Sequence, residues 1–288
     1  MLALVSAAAF GLFAVLLRVA GDEGADAVSV MAARFVIAAP VLWVIAARPW
    51  QQRPHGRLVP APRLAIGGLA LGFVAYSAQA ALFQGAVNLT GAALADLLLY
   101  AYPAMVVGLA WAMGREHPTR RRISALVVAS LGTALVLLGG GGSQFDGLGV
   151  ALGLLAALAY TLYIMGCDRV VQGLQPFALA ALVATGAGMA FLTAGLVGIG
   201  GGLDFSFTPT AWWAVIGIAV AGTVLAVGAF LMSLKLIGPS RASILSTLEP
   251  VVTVILAYVM LSERLGPVQL AGGVLVLAAC VLLQLRTA

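Results

Sequence analysis

A glutamate next to a proline, in the middle of a long apolar stretch, stands out as the residue pair best suited to chemistry. Glu249 precedes Pro250, and Ser246 and Thr253 share the helical face of the glutamate. Proline removes the hydrogen bond to the carbonyl four residues earlier, which here is the carbonyl of Ser246. A carboxyl, two hydroxyls and a freed carbonyl in apolar surroundings could bind an ammonium group or carry a proton. The alternative is a glutamate that is protonated or paired and only locks two helices together.

Two further charges, Asp96 and Arg34, also fall inside apolar stretches. Tyr100 and Pro103 share the helical face of Asp96, four and seven residues further along the chain. Arg34 is predicted to lie at a depth from which it could form an ion pair with Asp96. Both residues are therefore candidate charge sites, as substrate contacts or as a structural pair.

Tyrosines supply the second chemical signal. Tyr76, Gln79 and Phe83 follow one helical face, and Tyr160 and Tyr163 follow another. A tyrosine hydroxyl in an apolar stretch needs a partner, and a water-filled cavity provides one most easily. We therefore predict that these two faces bind substrate, with packing in the protein core as the alternative for each tyrosine.

Tyr100 and Tyr102 form a third candidate pair. Residues two apart point about 200° away from each other on an ideal helix. Both rings can line one cavity only if Pro103 distorts the helix, so the pair predicts a distortion there.

All of these residues lie in ten apolar stretches of roughly twenty residues, the length that crosses a bilayer as a helix. The chain is 62 % apolar and 9 % charged, with a mean hydropathy of +1.10, which excludes a water-soluble domain. The stretches do not alternate polar and apolar residues, so helices are predicted rather than a barrel. The fold class is therefore all-α, a polytopic membrane protein with ten spans at about 2–20, 27–47, 64–85, 91–113, 123–140, 147–168, 176–199, 211–233, 240–261 and 267–285.

The basic residues predict the orientation of these spans. With the N-terminus in the cytoplasm, twelve of the fifteen Lys and Arg residues fall on the cytoplasmic side. This bias predicts that both termini are cytoplasmic and that the net charge of +5 marks topology rather than nucleic-acid binding. The twelve are Arg48, Arg53, Arg57, Arg63, Arg115, Arg120, Arg121, Arg122, Arg169, Lys235, Arg241 and Arg286.

The sequence also repeats with an offset of 147 residues. Gly91 then aligns with Gly238, and Pro103 aligns with Pro250. We interpret residues 1–143 and 144–288 as two repeats of five spans each, which an odd span number places in opposite orientations. Inverted repeats are typical of transporters, and the two matched prolines are candidate hinges.

The second repeat ends in Thr247-Leu-Glu-Pro-Val-Val, followed by Ser262-Glu-Arg-Leu-Gly-Pro-Val-Gln-Leu-Ala-Gly-Gly. This pattern resembles the EamA family of the drug/metabolite transporter superfamily, and Tyr102 to Glu116 is similar to it in the first repeat. The stretch Tyr100-Ala-Tyr102-Pro103 is similar to the aromatic amino-acid exporter branch of the family. The resemblance implies a bacterial-type inner membrane protein with a central cavity lined by spans 1, 3, 4, 6, 8 and 9. It also implies export of small metabolites by alternating access, with aromatic or neutral amino acids as substrates.

Other functions are less well supported by the sequence. It contains no phosphate-binding loop and no His-Glu-x-x-His motif, so no cofactor or metal is predicted, and the protein is not expected to be an enzyme. Cys167 and Cys280 fall inside predicted spans, where they pack as small apolar residues. The alternative function is efflux of cationic or aromatic drugs, followed by an integral-membrane enzyme. Transport is proton-coupled if Glu249 or Asp96 titrates during the cycle, and facilitated otherwise.

Overall fold

The computed structural model describes residues 1–48, 61–117, 119–138, 146–261 and 266–284. Arg53, Arg57 and Arg286 of the charge pattern lie outside these residues. So does Ser262–Leu265 of the quoted motif.

Every described element of secondary structure is helical, which confirms the predicted fold class. Nine helical stretches among the described residues are long and apolar enough to cross a membrane, and Pro267–Leu282 adds a shorter tenth. The α-helices are α1 Leu2–Asp22, α2 Ala27–Ala47, α3 Pro62–Ala70, α4 Ser77–Thr90, α5 Ala92–Leu99, α6 Tyr102–Ala112, α7 Arg120–Leu138, α8 Gly147–Gln172, α9 Pro176–Leu196, α10 Pro209–Gly217, α11 Ala226–Ile237, α12 Pro239–Ser246, α13 Glu249–Leu261 and α14 Pro267–Gln284.

Four of the ten spans are interrupted. In the third span a first π turn, Leu71–Tyr76, joins α3 to α4, and in the eighth a second π turn, Ile218–Leu225, joins α10 to α11. The fourth span breaks between α5 and α6, and the ninth breaks between α12 and α13. Irregular backbone at membrane depth is tolerated only where protein buries it or where it lines a cavity, so the breaks point to functional segments.

The interruptions follow the offset of 147 residues. Four pairs of elements begin 147 residues apart. They are α3 and α10, the two π turns, α6 and α13, and α7 and α14. Gly91 and Gly238, which precede α5 and α12, have φ angles of 80° and 77°. The recurrence therefore extends from sequence to backbone conformation, while the boundary at residue 143 stays a prediction.

The chain forms two compact units, each of which is built from two separate segments of the sequence. Unit 1 contains the described residues of Met1–Ser77 and Gly166–Leu236. In this unit α2 packs against α9, and α1 packs against α10 and the second π turn. A Cβ on Gly72 would lie 2.1 Å from the carbonyl oxygen of Val183, and one on Gly186 would lie 2.2 Å from that of Leu69. Glycine therefore permits the close crossing of the third span and α9.

Unit 2 contains the described residues of Ala78–Met165 and Ile237–Ala288. Here α7 packs against α14, and α12 packs against α6. A Cβ on Gly272 would lie 2.6 Å from the carbonyl oxygen of Gly132, so α7 and α14 cross backbone to backbone. Glycine therefore also permits this close approach of two helices.

Candidate functional site

Seven side chains of unit 2 form a connected group that we name the acidic tyrosine cluster. Its members interact through ring contacts, hydrogen bonds or electrostatic interactions between their polar groups. The members are Asp96, Tyr100, Tyr102, Tyr160, Tyr163, Ser246 and Glu249.

The two broken helices position most of the cluster. Tyr100 is the residue that follows α5, and Tyr102 is the first residue of α6. Ser246 is the last residue of α12, and Glu249 is the first residue of α13. The polar side chains therefore gather where the backbone leaves helical geometry, and the predicted distortion at the first proline is present one turn before it.

The tyrosine rings form a continuous series. The centroids of the Tyr100 and Tyr102 rings are 6.0 Å apart, although an ideal helix would point them in opposite directions. The Tyr102 ring meets the Tyr160 ring edge to face at 4.7 Å, and the Tyr160 ring stacks on that of Tyr163 at 5.9 Å. These distances are those that aromatic pairs prefer.

The carboxyl groups lie at one end of this series. The Tyr100 hydroxyl forms a hydrogen bond with the Glu249 carboxyl, and the Tyr102 hydroxyl forms one with the Ser246 side chain. Asp96 lies close enough to Glu249 for their charges to interact. Asp96, Tyr100 and Glu249 are half-buried, whereas Tyr102 is 3 % exposed. The residues that carry the two carboxyls thus keep some exposed surface, whereas Tyr102 is buried beside them.

The backbone at the two breaks adds further polar groups. At each break the last turn closes with hydrogen bonds to the third residue back, from Ala101 to Leu98 and from Leu248 to Leu245. Pro103 and Pro250 stand two residues after these donors and have no amide proton to donate. The carbonyls four residues before these prolines therefore lose their helical donors, as the sequence predicted for Ser246.

The chemistry of the cluster is that of a receptor for a cation or a proton with an aromatic wall. Lysine, arginine and histidine are absent from the cluster as the described residues define it. No group of three or more His, Cys, Asp or Glu residues that could hold a metal ion occurs in the part of the chain that the structure describes. Carboxylates and tyrosine faces together attract ammonium groups.

Four predicted residues lie apart from these contacts. Gln79 is buried and Phe83 is half-buried in α4 of unit 2, but neither belongs to the contacts that define the cluster. Tyr76 is half-buried at the end of the first π turn, in unit 1, where its ring meets the Phe35 ring edge to face at 5.5 Å. Their roles in substrate binding stay predictions.

Arg34, the fourth, also belongs to unit 1, where it is 1 % exposed. Its Nε donates a hydrogen bond of 2.6 Å to the Thr223 hydroxyl oxygen, and its Nη2 donates one of 3.3 Å to the Gly222 carbonyl. The ion pair with Asp96, a residue of the other unit, stays a prediction. Sequence reasoning missed Thr223, although the offset of 147 pairs it with Tyr76 and could have drawn attention to it.

Comparison with known proteins identifies the architecture that carries this site. The model of the EamA-like transporter family matches residues 1–138 and, separately, residues 147–285. The chain belongs to the EamA-like transporter family. The resemblance noted in the sequence is thereby confirmed, and the protein is a multi-pass membrane transporter.

Individual relatives agree with this assignment. The chain is 25 % identical over 274 residues to the uncharacterized transporter YcbK of Bacillus subtilis strain 168, covering 93 % of this chain and 87 % of that protein. It is 27 % identical over 201 residues to an uncharacterized transporter of Archaeoglobus fulgidus, covering 68 % of each. A solved crystal structure superposes with a TM-score of 0.77 at 15 % identity, covering 98 % of this chain and 96 % of that one, and shows that the fold is shared.

Proposed function

We propose that this EamA-like transporter exports small metabolites from the cytoplasm, with aromatic and neutral amino acids as its substrate class. The observation that carries the proposal is the acidic tyrosine cluster at two broken helices. In transporters, discontinuous helices are the usual place for a substrate site, because they expose polar backbone groups in the middle of the membrane. Glu249 and Asp96 would hold the substrate ammonium group, and the rings of Tyr100 and Tyr160 would contact its side chain.

The transport cycle that we propose is alternating access between two inverted repeats. The backbone features that recur at an offset of 147 residues support it, because two similar halves can exchange conformations and so move the open side of one site. Pro103 and Pro250 are the proposed hinges. The proposed location is a bacterial-type inner membrane with both termini in the cytoplasm, as the distribution of arginine in the sequence predicts.

The experiment that tests the substrate class is counterflow in proteoliposomes. Vesicles loaded with unlabelled amino acids are supplied with labelled phenylalanine, threonine or lysine in separate reactions, and entry of label is followed. We expect exchange of phenylalanine, and loss of that exchange in Tyr100→Ala and Glu249→Ala. The absence of exchange for all three amino acids, with folded protein, would contradict the proposal.

Efflux of organic cations is the second candidate function. It is favoured by one observation, which is that the cluster holds two carboxyls and no basic side chain as the described residues define it. A zwitterion also needs a partner for its carboxylate, whereas a cation does not. Exchange of labelled tetraphenylphosphonium that unlabelled phenylalanine does not inhibit would select this function.

Proton coupling is the mechanism that we propose for driving the transporter. Two carboxyls that interact in apolar surroundings resist being ionised together, so that a proton and a cationic substrate compete for them. We expect phenylalanine exchange by the wild type to change with pH and that of Glu249→Gln to be less pH-dependent. A Glu249→Gln variant with full transport and the pH profile of the wild type would remove this residue from the coupling mechanism.

A further inference from the structure

Arg34 is a buried cation whose setting is unusual for a membrane-spanning segment. It is 1 % exposed in α2, and within the described residues of unit 1 no carboxylate forms a salt bridge with it. A charged side chain at membrane depth is expensive and is usually retained for function, with a partner that compensates for the lost water. The surroundings of Arg34 therefore show what it does.

Aromatic rings and polar atoms provide the compensation. The guanidinium carbon of Arg34 lies 4.5 Å from the centroid of the Phe13 ring and 4.7 Å from that of the Phe35 ring. The faces of these rings attract the positive charge. Nη1 also donates to the sulfur of Met31 at 3.4 Å.

The strongest contacts of Arg34 go to the second π turn. Its Nε donates to the Thr223 hydroxyl at 2.6 Å, and its Nη2 donates to the Gly222 carbonyl at 3.3 Å. The Thr223 hydroxyl in turn donates to the carbonyl of Ile218, five residues back, at 3.4 Å. One side chain of α2 therefore satisfies a backbone carbonyl and orients the hydroxyl that bonds across the π turn.

Among the described contacts, the first π turn is fastened in a different way. There the hydroxyl of Ser77, the residue directly after the turn, donates to the Gly72 carbonyl at 3.2 Å. The turn also presses its glycine against the backbone of α9. In these contacts, the neighbouring residue Ser77 and backbone packing hold the first π turn. The second π turn is held by the charged side chain of Arg34, which is distant in sequence.

We propose that Arg34 is a positioning residue for transport that holds the second π turn in its wide conformation. This inference rests on the proposed function only in that transport requires the helices to move. A π turn contains one residue more than the α-helix it replaces, so its relaxation would rotate the following helix, α11, by about 100°. Arg34 would thereby set which face α11 presents.

Phe35 extends this arrangement to the first π turn. Its ring meets the Arg34 guanidinium on one side and the ring of Tyr76, the last residue of the first π turn, on another. Two adjacent residues of α2 therefore contact both π turns.

Hydrogen–deuterium exchange of the whole protein in lipid nanodiscs tests the proposal without depending on the substrate. Arg34→Gln removes the charge-assisted hydrogen bonds to the second π turn, so amides of residues 218–225 should exchange about 10- to 100-fold faster. Exchange in residues 71–76 should stay as in the wild type. Arg34→Lys keeps the charge but loses the two-point geometry of the guanidinium. Its exchange rate in residues 218–225 should therefore fall between those of the wild type and Arg34→Gln.

Two variants protect this experiment against general effects. Arg120→Gln, on exposed Arg120 of α7 in unit 2, makes the same chemical change in the other unit and should leave exchange in residues 218–225 unaltered. If Arg34→Gln does not fold, Thr223→Val removes the acceptor with little change in shape and should give the same local acceleration. Equal acceleration at both π turns, or none at either, would overturn the proposal.

Transport kinetics give a second test. A positioning role predicts that Arg34→Lys lowers the maximal rate of phenylalanine exchange about tenfold, while KM changes less than about twofold. A rise in KM at an unchanged maximal rate would instead make Arg34 a substrate contact and refute the positioning role. If the wild type transports no phenylalanine, the proposed substrate class fails. The hydrogen–deuterium exchange experiment still decides the role of Arg34 in that case.

Discussion

The two broken helices of unit 2 share a backbone design and differ in their chemistry. Each begins after a glycine with positive φ, breaks after eight residues and resumes with a proline in second position. The first break supplies the rings of Tyr100 and Tyr102 and the Asp96 carboxyl. In the second break, Glu249 takes the position that Tyr102 holds in the first. The repeat therefore supplies the geometry twice, and side-chain differences make the resulting site asymmetric.

The segments before the breaks differ as well. In α12 the hydroxyls of Ser243 and Ser246 donate to carbonyls one turn back, as does that of Thr247 directly after the helix. Such bonds satisfy the hydroxyls within the segment and loosen the helix. The described part of α5 carries Asp96 as its charged residue, and this carboxyl is half-buried. The hydroxyls of the second segment are thus satisfied locally, whereas the first segment carries a carboxyl.

The largest effect should come from the glutamate that distinguishes the second break. Glu249→Gln removes a carboxyl that forms a hydrogen bond with the Tyr100 hydroxyl and interacts with Asp96. The proposed charge-assisted hydrogen bond from the substrate ammonium group contributes about 2–3 kcal/mol, so its loss should lower the affinity for phenylalanine about 30- to 150-fold. Asp96→Asn should cost less, since no other described side chain donates a hydrogen bond to Asp96. Equilibrium binding to purified protein measures both, and a larger loss in Asp96→Asn would reverse the comparison.

The glycines before the broken helices should show the next largest effect, on stability. Gly91 and Gly238 have φ near 80° and ψ near 165°, a region that other residues enter at a cost of about 1–3 kcal/mol. A Cβ on Gly238 would also lie 2.7 Å from the carboxyl of Glu116, which Arg122 holds in a salt bridge of 2.7 Å. Gly238→Ala should therefore lower the thermal midpoint by about 4–8 °C in a detergent-based melting assay.

Gly91→Ala is the matched comparison, and its shift should have the same sign. Gly108→Ala serves as control, because Gly108 lies inside α6 with open space around its Cβ position. Alanine favours helix there by about 1 kcal/mol and should leave the midpoint unchanged or raise it. A stable Gly238→Ala protein would show that the backbone at the second segment adapts to a side chain.

The sequence predicted more of the fold than of the site. Twenty apolar residues in a row require a helix, because lipid offers the backbone no partners, and this rule predicted all ten spans. The alignment of Pro103 with Pro250 marked where the fourth and ninth spans break. The alignment did not predict that each of these two spans would leave helical geometry before its proline. That depends on how tertiary contacts satisfy the backbone hydrogen-bonding groups of the last helical turn.

The π turns and the neighbours of Arg34 escaped the sequence for a different reason. A π turn is one extra residue in a helix, and no residue type in Leu71–Tyr76 or Ile218–Leu225 requires it. The partners of Arg34 on the second π turn are almost 190 residues away in sequence. By contrast, the shared face of Tyr160 and Tyr163 was predicted from spacing alone, because residues one turn apart share a face wherever the helix packs.

The smallest effect should come from the hydroxyl that joins the two breaks. Tyr102 of the first forms a hydrogen bond with Ser246 of the second, and both are 3 % exposed. Tyr102→Phe and Ser246→Ala should each lower the stability of unit 2 by about 1 kcal/mol, as loss of a neutral hydrogen bond does. The double variant should cost less than the sum of the two single variants, because the bond can be lost only once.

Tyr160→Phe is the matched control for this cycle, since its ring packs on that of Tyr102 and the substitution leaves the ring in place. Its combination with Ser246→Ala should be additive. One outcome is coupling between Tyr102→Phe and Ser246→Ala together with additivity between Tyr160→Phe and Ser246→Ala. It would show that one specific hydroxyl contact joins the two breaks. Additivity in both pairs would mean that ring packing alone joins them, and the chemical asymmetry of the breaks would then be confined to their carboxyls.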